Sequence, residues 1–522
     1  MNNFKNDKAI SKNSDMFYYD GVLWAIELLG AVLITIPFAF CWIIYYSNRI
    51  VSPYYNKGNW LVILIFFFLF ILLGKIYEGF MVSLYKMSEI VFSQCLAIFF
   101  ADIFMYLIIM LLSKGFVTIW PIMLALLVQV MLSMTWTIGT QRWFFHTFPA
   151  RRTAVIYDTR EGLEIMVKEY GLEKKFNILW TISATECLSK YFEQIDDMEV
   201  IFLWGVHSHE RNIILKRCIA QNISVYMLPR IGDILVSSAK RIHIFNLPML
   251  RISRYSPSPG YVLFKRVFDI ISSALGIVML SPVMIIVGIV IKITDGGPVL
   301  YRQCRLTKNG HKFILMKFRS MCVDAECDGV ACLSTGDKDD RITPVGKFIR
   351  KFRIDELPQL INILKGDMSV VGPRPERPEI ASEYEKELPE FAMRLQVKAG
   401  LTGYAQVYGK YNTIPYDKLQ MDLMYIAHPS MWEDLSIILA TIKILFLKSS
   451  TEGITEGQIT ASKVDESKAP LTIDVNGSDY TMKSENLSIM KSENVMLTTV
   501  KLCNRPLGGE NYETVEDSNF SQ

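Results

Sequence analysis

The sequence lacks the features that mark several protein classes. Its nine cysteines are scattered and several lie in or beside apolar runs, which does not make a disulfide framework. The closest three are Cys322, Cys327 and Cys332, and their wide spacing favours a plain loop over a zinc site. A formal net charge of +3 does not favour nucleic acid as a partner. No cleavable signal peptide is evident, because the first apolar run is long and lacks a small-residue cleavage site.

Apolar residues are abundant instead, at 51% of the chain, with a mean hydropathy of +0.25. Three of the four N-terminal apolar runs have the length of a membrane-spanning helix, roughly 20 residues, and the second could be extended through its flanks. We therefore predict a membrane protein, with a cytoplasmic N-terminus at 1–19 and four transmembrane helices over 20–140. A soluble apolar bundle is the less favoured alternative. The four runs lie near 21–46, 59–74, 90–112 and 116–139.

Basic residues in the connections predict the orientation of these helices. Arg49, Lys57 and Lys114 lie on one side of the predicted bundle. A larger group lies on the other side, and positively charged connections stay in the cytoplasm. Both ends of the helical region are therefore predicted to be cytoplasmic. The larger group comprises Lys5, Lys8, Lys12, Lys75, Lys86, Arg142, Arg151 and Arg152.

Residues 150–252 alternate short β-rich runs with amphipathic helical patterns. This alternation is typical of a Rossmann-like α/β domain with a parallel sheet. The first predicted strand is followed by Asp158-Thr-Arg160 and Gly162 rather than by a G-x-G-x-x-G turn. A structural or regulatory role is therefore favoured over dinucleotide binding. The predicted strands are 153–157, 177–180, 200–203 and 224–228, with a helix at 210–219.

The remainder of the chain divides into a third unit at 260–449 and a tail at 450–522. The tail is polar, poor in aromatic residues and acidic, with 6 Lys/Arg against 12 Asp/Glu. It repeats the sequence Met-Lys-Ser-Glu-Asn at Met482 and Met490. This composition predicts disorder.

An apolar stretch at 270–291 contains no charged residue and is long enough to cross a bilayer. Pro282 removes a backbone donor from its middle, and the Ser281 hydroxyl can return a hydrogen bond to the freed carbonyl. A crossing helix would export residues 292–377, which hold 16 Lys/Arg against 11 Asp/Glu. Because basic residues beside a membrane helix resist export, these flanks favour a re-entrant helix that enters and leaves on the cytoplasmic face. A kinked spanning helix is the alternative.

Two neighbouring carboxylates, Asp355 and Glu356, precede a helical pattern. Pro358 is tolerated only in a first turn, so the predicted helix begins near Asp355. On this stretch alone, an Asp N-cap with a favourable first-turn Glu is the commoner interpretation. A helix N-terminus also attracts phosphate. Since sequence neighbours point in different directions, one carboxylate can meet a phosphorus atom while the other meets a metal ion.

Basic residues are concentrated on both sides of this pair. A carboxylate can attack a phosphoryl group only if the negative charges on both are offset, as arginine forks and a divalent ion do. A solvated basic surface explains any one of these residues, but explains less well their concentration around one pair of acids. They are Arg302, Arg305, Lys317, Arg319, Lys347, Arg350, Lys351, Arg353, Arg374 and Arg377.

These residues belong to motifs that closely resemble those of the bacterial sugar transferases, also called monotopic phosphoglycosyl transferases. The resemblance covers residues 265–446 without a long gap, and the four-helix front end with a Rossmann-like middle resembles the large subgroup of that family. The matching motifs are Lys265-Arg-Val-Phe-Asp269, Ser281-Pro282, Gly297-Pro-Val-Leu-Tyr-Arg-Gln303, Lys317-Phe-Arg-Ser-Met321, Asp355-Glu-Leu-Pro-Gln359, Gly366-Asp-Met-Ser-Val-Val-Gly-Pro-Arg-Pro375 and Gly400-Leu-Thr-Gly-Tyr-Ala-Gln406.

The resemblance implies a mostly α catalytic domain at 260–449, with a re-entrant helix at 270–291 broken at Ser281 and Pro282. It implies a ping-pong reaction in which Asp355 attacks the β-phosphate of a UDP-sugar and releases UMP. The phosphosugar would then pass from the aspartyl intermediate to undecaprenyl phosphate, which initiates exopolysaccharide, capsule or glycoconjugate synthesis. Glu356 would help to hold Mg²⁺. The phosphate contacts would come from Lys317, Arg319, Arg353, Arg374 and Lys410, the last where many relatives carry arginine.

Such an enzyme would lie in the bacterial inner membrane as a multi-pass protein, with its catalytic domain on the cytoplasmic face. All residues given a chemical role lie between Lys265 and Lys410, so a fragment spanning roughly 255–450 is expected to act alone. The front end would then serve stability, homo-oligomer formation or regulation. A non-enzymatic scaffold of a polysaccharide assembly complex is the main alternative. A transporter is another, although only Glu27 and Asp102 are ionisable residues suited to one.

Overall fold

The computed structural model describes residues 2–54, 57–160, 162–255, 257–322, 341–409 and 414–445, apart from the side chains of 2–17 and 295. The predicted disordered tail at 450–522 and Lys410 therefore lie outside the described residues.

Each of the four N-terminal apolar runs lies in a long helix. Aromatic residues fill the core between the helices, where the Phe38 and Phe66 rings stack with centroids 4.3 Å apart. The first helix starts earlier than the predicted run and continues as a π-helical turn at Trp42–Tyr46. Large apolar side chains are also exposed on the outer faces of these helices. The helices are α1 (Asn2–Cys41), α2 (Lys57–Ile76), α3 (Met87–Ser113) and α4 (Trp120–Thr147).

The middle region is an α/β unit with a four-stranded parallel sheet. The four predicted strands are confirmed, and the strand order is the second, first, third and fourth. An antiparallel hairpin follows that the alternation pattern did not indicate. The elements are β1 (Arg151–Tyr157), α5 (Leu163–Glu169), β2 (Phe176–Ser183), α6 (Ala184–Glu186), β3 (Val200–Trp204), α7 (Ser208–Ala220), β4 (Ser224–Met227), α8 (Ile231–Ser237), and the hairpin strands β5 (Lys240–Ile244) and β6 (Leu247–Arg251).

The third region is mostly helical, with one antiparallel hairpin and one short parallel strand pair. The predicted extended stretch at 313–318 is confirmed as part of β8. The elements are α9 (Pro259–Asp295), β7 (Leu300–Leu306), β8 (Lys312–Phe318), α10 (Pro344–Lys351), α11 (Gln359–Lys365), β9 (Ser369–Val371), α12 (Pro378–Glu387), β10 (Gly400–Thr402), α13 (Tyr404–Tyr408), α14 (Pro415–Ala427) and α15 (Met431–Leu445).

Helix α9 contains the apolar stretch and extends beyond it at both ends. The expected break at Ser281 and Pro282 was wrong, because the backbone is helical through Pro282. The Ser281 hydroxyl donates to the Val278 carbonyl at 2.8 Å. The Val278 carbonyl would normally accept from the backbone N–H of residue 282, which proline lacks. The predicted return hydrogen bond is therefore confirmed. Within the described residues, α1 to α4 and α9 are the five helices long and apolar enough to cross a membrane.

The connection between α2 and α3 contacts both following regions. On the middle domain, Lys175 donates to the Ser83 hydroxyl at 3.1 Å and the Glu169 carbonyl accepts from Lys86 at 3.3 Å. On the third region, Lys443 in α15 donates to the Tyr77 carbonyl at 2.9 Å. One end of the helical bundle therefore supports both polar domains.

Candidate active site

The two carboxylates lie in a single 3-10 turn, Ile354–Glu356, between α10 and α11. Arg353 precedes this turn in a left-handed backbone conformation, with a φ of 52°. The prediction of one helix beginning near Asp355 was wrong, because α11 begins at Gln359 with Pro358 as its N-cap. In a 3-10 turn, successive side chains point about 120° apart. Asp355 and Glu356 therefore still face different directions.

Two glycine-rich motifs lie side by side and bring Arg374 to the carboxylates. The parallel strands β9 and β10 pair, and the Gly372 amide donates to the Thr402 carbonyl at 2.9 Å. A Cβ at Gly400 would lie 2.1 Å from the Gly372 nitrogen, so only glycine allows this approach. Arg374 follows one strand and Gln406 follows the other. These two side chains meet, with a nitrogen-to-oxygen distance of 3.4 Å.

Lys317 reaches the carboxylates from β8. Asn362 in α11 fixes that strand, donating to the Ile314 carbonyl at 2.8 Å and accepting from the Met316 amide at 3.1 Å. Helix α11 follows the carboxylate turn closely in the chain. Because α11 also holds β8 through Asn362, it links the position of Lys317 to the position of the two acids.

Glu356 is the centre of a cationic cluster and is itself only 8% exposed. Its Oε1 accepts from Lys317 Nζ at 3.2 Å and from Arg374 Nη2 at 3.1 Å. Its Oε2 lies 3.9 Å from Arg353 Nη1. The structure therefore brings three of the predicted phosphate-binding residues around Glu356: Lys317, Arg353 and Arg374.

The two carboxyl groups have opposite electrostatic environments. Burial opposes the ionisation of Glu356, but Lys317 and Arg374 hold its pKa well below its usual range. Burial and the neighbouring charge of Glu356 raise the pKa of Asp355 to about 6. Glu356 is therefore an ionised structural anion, whereas Asp355 is a more basic carboxylate and hence the better nucleophile or proton acceptor.

Arg319 lies beside the carboxyl end of α9, and its predicted phosphate contact stays a prediction. Its guanidinium packs against the glycine turn after α9, where a Cβ at Gly297 would lie 2.0 Å from Arg319 Nη1. Arg350, at the end of α10, acts electrostatically on Asp355 and lowers its pKa. The predicted phosphate contact of Lys410 lies outside the described residues.

A divalent ion would have Glu356 as its carboxylate donor, because Asp355 is the predicted nucleophile. No group of three or more acidic, histidine or cysteine side chains suited to a metal exists among the described residues. This donor set fits Mg²⁺, which binds through one or two carboxylates and takes its other ligands from substrate phosphates and water.

Sequence reasoning missed a second buried ionic cluster beneath Arg374. Arg394 is 2% exposed and donates to the Arg374 carbonyl at 3.0 Å. Its Nη2 also lies 2.7 Å from Asp422 Oδ2 in α14. No spacing rule links residues this distant in sequence, so the pattern carried no signal for the pair. Gln406, by contrast, stands in a motif already singled out.

Comparison with known proteins places these residues in a described family. The model of the bacterial sugar transferase family matches residues 260–448. An Aeromonas hydrophila UDP-N-acetylgalactosamine-undecaprenyl-phosphate N-acetylgalactosaminephosphotransferase is 38% identical over 234 residues, 44% of this chain and 54% of its own. A Klebsiella pneumoniae UDP-glucose:undecaprenyl-phosphate glucose-1-phosphate transferase is 36% identical over 233 residues, again 44% of this chain and 50% of its own. This chain thus matches about half the length of these relatives.

A shorter relative is matched over more of its length. The Caulobacter vibrioides UDP-glucose:undecaprenyl-phosphate glucose-1-phosphate transferase is 39% identical over 194 residues, which are 36% of this chain and 72% of its own. The carboxylate turn and the cluster around Glu356 all lie within the region that the family model matches.

Proposed function

The chain belongs to the bacterial sugar transferase family, and from that membership we propose that it transfers a sugar 1-phosphate from a UDP-sugar to undecaprenyl phosphate. One observation carries the proposal: Asp355, a carboxylate of raised pKa, lies next to Glu356 and beneath Lys317 and Arg374. A carboxylate nucleophile against phosphate needs this combination of basicity and surrounding positive charge.

In the first step, an Asp355 oxygen attacks the β-phosphorus of the UDP-sugar. The bond from that phosphorus to the oxygen bridging the two phosphates breaks, and UMP leaves with the bridging oxygen. In the second step, a phosphate oxygen of undecaprenyl phosphate attacks the same phosphorus. The bond to Asp355 breaks, which restores the carboxylate and yields an undecaprenyl diphosphate sugar.

The cationic side chains hold and neutralise the phosphates in both steps. Lys317 and Arg374 already face the acids, so the arginine fork can bind a phosphoryl oxygen without rearrangement. Glu356 keeps these cations aimed at the site and would help to hold Mg²⁺. When bound, that ion supplies further positive charge to the phosphates.

Contacts of α9 support a re-entrant position in the membrane. Near its start, Arg266 donates to the Ile363 carbonyl at 2.8 Å and Asp269 accepts from the Val370 amide at 2.9 Å. Near its end, Val287 and Ile291 pack in one cluster with Phe318 and Ile349. Both ends therefore contact the same polar domain, as a helix that enters and leaves on one face would. The opposite face of α9 is apolar and exposed along its length.

Contacts of the helical bundle support the orientation. The connection between α2 and α3 touches both polar domains and includes Lys86, and Lys75 lies in the last turn of α2. Both lysines are on the side predicted to be cytoplasmic. We therefore propose a multi-pass protein of the bacterial inner membrane with its catalytic domain in the cytoplasm, initiating polysaccharide or glycoconjugate synthesis.

The proposal is tested by UMP release from a panel of UDP-sugars, with purified full-length protein and undecaprenyl phosphate in nanodiscs. The relatives differ in the sugar that their names print, so the panel includes UDP-glucose, UDP-galactose and UDP-N-acetylgalactosamine. Release from at least one donor is expected, abolished by EDTA and restored by Mg²⁺. No release from any donor would contradict the transferase, and full release in excess chelator would contradict the metal.

A further inference from the structure

Helix α14 joins the middle domain to the catalytic arginine through its two faces. On one face, Asp417 pairs with Arg160 at 2.6 Å, and Gln420 donates to the Pro229 carbonyl. Arg160 and Pro229 follow β1 and β4 of the middle domain. Residues three apart share a face of a helix, so both contacts of this face belong to the middle domain.

The neighbouring face of α14 contacts the ionic cluster beneath the active site. Lys418 pairs with Glu376, and Asp422 pairs with Arg394 at 2.7 Å. Lys418 and Asp422 are four residues apart and so share a face of α14, which adjoins the face that carries Asp417 and Gln420. Asp422 and Arg394 are 1% and 2% exposed, so their ion pair is shielded from solvent. A shielded pair fixes geometry more firmly than an exposed one, because leaving either charge alone in the interior is strongly unfavourable.

The cluster holds the main chain on both sides of Arg374. Arg394 donates to the Arg374 carbonyl at 3.0 Å, and Arg305 donates to the Pro375 carbonyl at 3.1 Å. The Glu376 carboxylate lies between these two guanidiniums, 3.5 Å from Arg394 and 3.9 Å from Arg305. The segment that aims the Arg374 side chain at Glu356 is therefore fixed by Arg394 and Arg305. Helix α14 supports it through Asp422, which pairs with Arg394, and Lys418, which pairs with Glu376.

We propose that the middle domain positions Arg374 through α14, with the Arg160–Asp417 pair as the ionic contact from the middle domain to α14. Asp422 and Arg394 are the positioning residues for Arg374. The inference rests on the proposed function, since it assigns the middle domain a part in the transfer reaction. A displacement of about 1 Å at a catalytic group can lower turnover by up to about 100-fold. The middle domain thus contributes to turnover without touching the substrate.

The test removes the Arg160–Asp417 pair in the full-length protein and measures UMP release in nanodiscs. Arg160→Gln is expected to lower kcat at least about tenfold with little change in the KM for the UDP-sugar, because Arg374 stays present but is misplaced. Arg217→Gln is the matched control. It removes an ion pair of 2.7 Å with Asp196, and both of these residues belong to the middle domain. An equal loss of kcat in both variants would overturn the inference.

Two further readouts separate positioning from a loss of folding. The exchanged pair, Arg160→Asp with Asp417→Arg, is expected to have a kcat at least about threefold higher than that of either single variant. Hydrogen exchange should quicken in the peptide that contains Gly372 and Arg374 in Arg160→Gln, but not in Arg217→Gln. Unchanged hydrogen exchange in that peptide would overturn the inference, whether or not the protein releases UMP. The absence of UMP release by the wild-type protein would instead contradict the proposed function.

Discussion

At the scale of single residues, the difference between Asp355 and Glu356 explains which acid reacts. Asp355→Asn should lower UMP release at least about 1,000-fold, because a carboxamide is a poor nucleophile.

The raised pKa of Asp355 also affects the stability of the fold. A carboxyl group whose folded pKa exceeds its unfolded value stabilises the fold at low pH, and this contribution is lost as pH rises through the folded value. The ionised group thus opposes folding near pH 7.

The substituted protein should therefore unfold at the same temperature as the wild type or at a higher one. Thermal unfolding of both proteins near pH 7, beside their rates of UMP release, measures the two effects together. Near-normal turnover in Asp355→Asn would contradict the assignment of the nucleophile. A large fall in unfolding temperature would instead assign Asp355 a structural role.

The pH dependence of the first half-reaction tests the same pair. With a pKa of about 6, Asp355 is ionised above that pH and increasingly protonated below it, while Glu356 stays ionised. UMP release without acceptor should therefore fall as the pH drops through about 6, with a slope of one proton. Omitting undecaprenyl phosphate matters, because phosphate groups titrate in the same range. A rate that stays level down to pH 5 would contradict a nucleophile of raised pKa.

At the scale of elements, α9 gives the sharpest topological expectation. Single cysteines replace Gly260 and Thr294, near its two ends, in a cysteine-free protein; a Cβ at Gly260 meets open space. Neither should react with an impermeant thiol reagent in intact cells, because a re-entrant helix leaves both ends in the cytoplasm. Gly115→Cys, in the connection between α3 and α4, is the matched control and should react. Labelling at Thr294 but not at Gly260 would establish a spanning helix.

The elements also show what sequence patterns can supply. The membrane-length helices follow from the length of their apolar runs. The strands of the middle sheet follow from the alternation of short β-rich runs with amphipathic helical patterns. The hydrogen bond from Ser281 was predictable, since one proline removes one known donor. The 3-10 turn was not, because Pro358 is tolerated both at an N-cap and in a first turn.

The predicted site divides in the same way. Asp355, Glu356, Lys317 and Arg374 stand in motifs and are brought together as expected. The Arg394–Asp422 pair and the Arg160–Asp417 pair join residues that no local pattern relates. Such contacts depend on how whole elements pack, and the packing of α14 between two domains is not encoded in its own periodicity.

At the scale of the whole molecule, the domains contact each other more closely than their separate motifs suggest. A fragment spanning 255–450 lacks Arg160, the partner of Asp417, and Glu78, which lies 3.7 Å from Lys443. We expect it to insert in membranes and release UMP between about tenfold and about 100-fold more slowly than the full chain in the same nanodiscs. A longer fragment spanning 150–450 should recover part of the loss. Equal rates for the 255–450 fragment and the full chain would contradict a role for the other domains.

The central claim is that Asp355 carries the phosphosugar between the two substrates. Full-length protein incubated with its UDP-sugar and Mg²⁺, without undecaprenyl phosphate, is digested under acidic conditions and its peptides are examined by mass spectrometry. The account predicts a phosphosugar adduct on the peptide that contains Asp355, lost when undecaprenyl phosphate is added and absent from Asp355→Asn. An adduct on another residue would contradict the account, as would UMP release by a protein that never carries one.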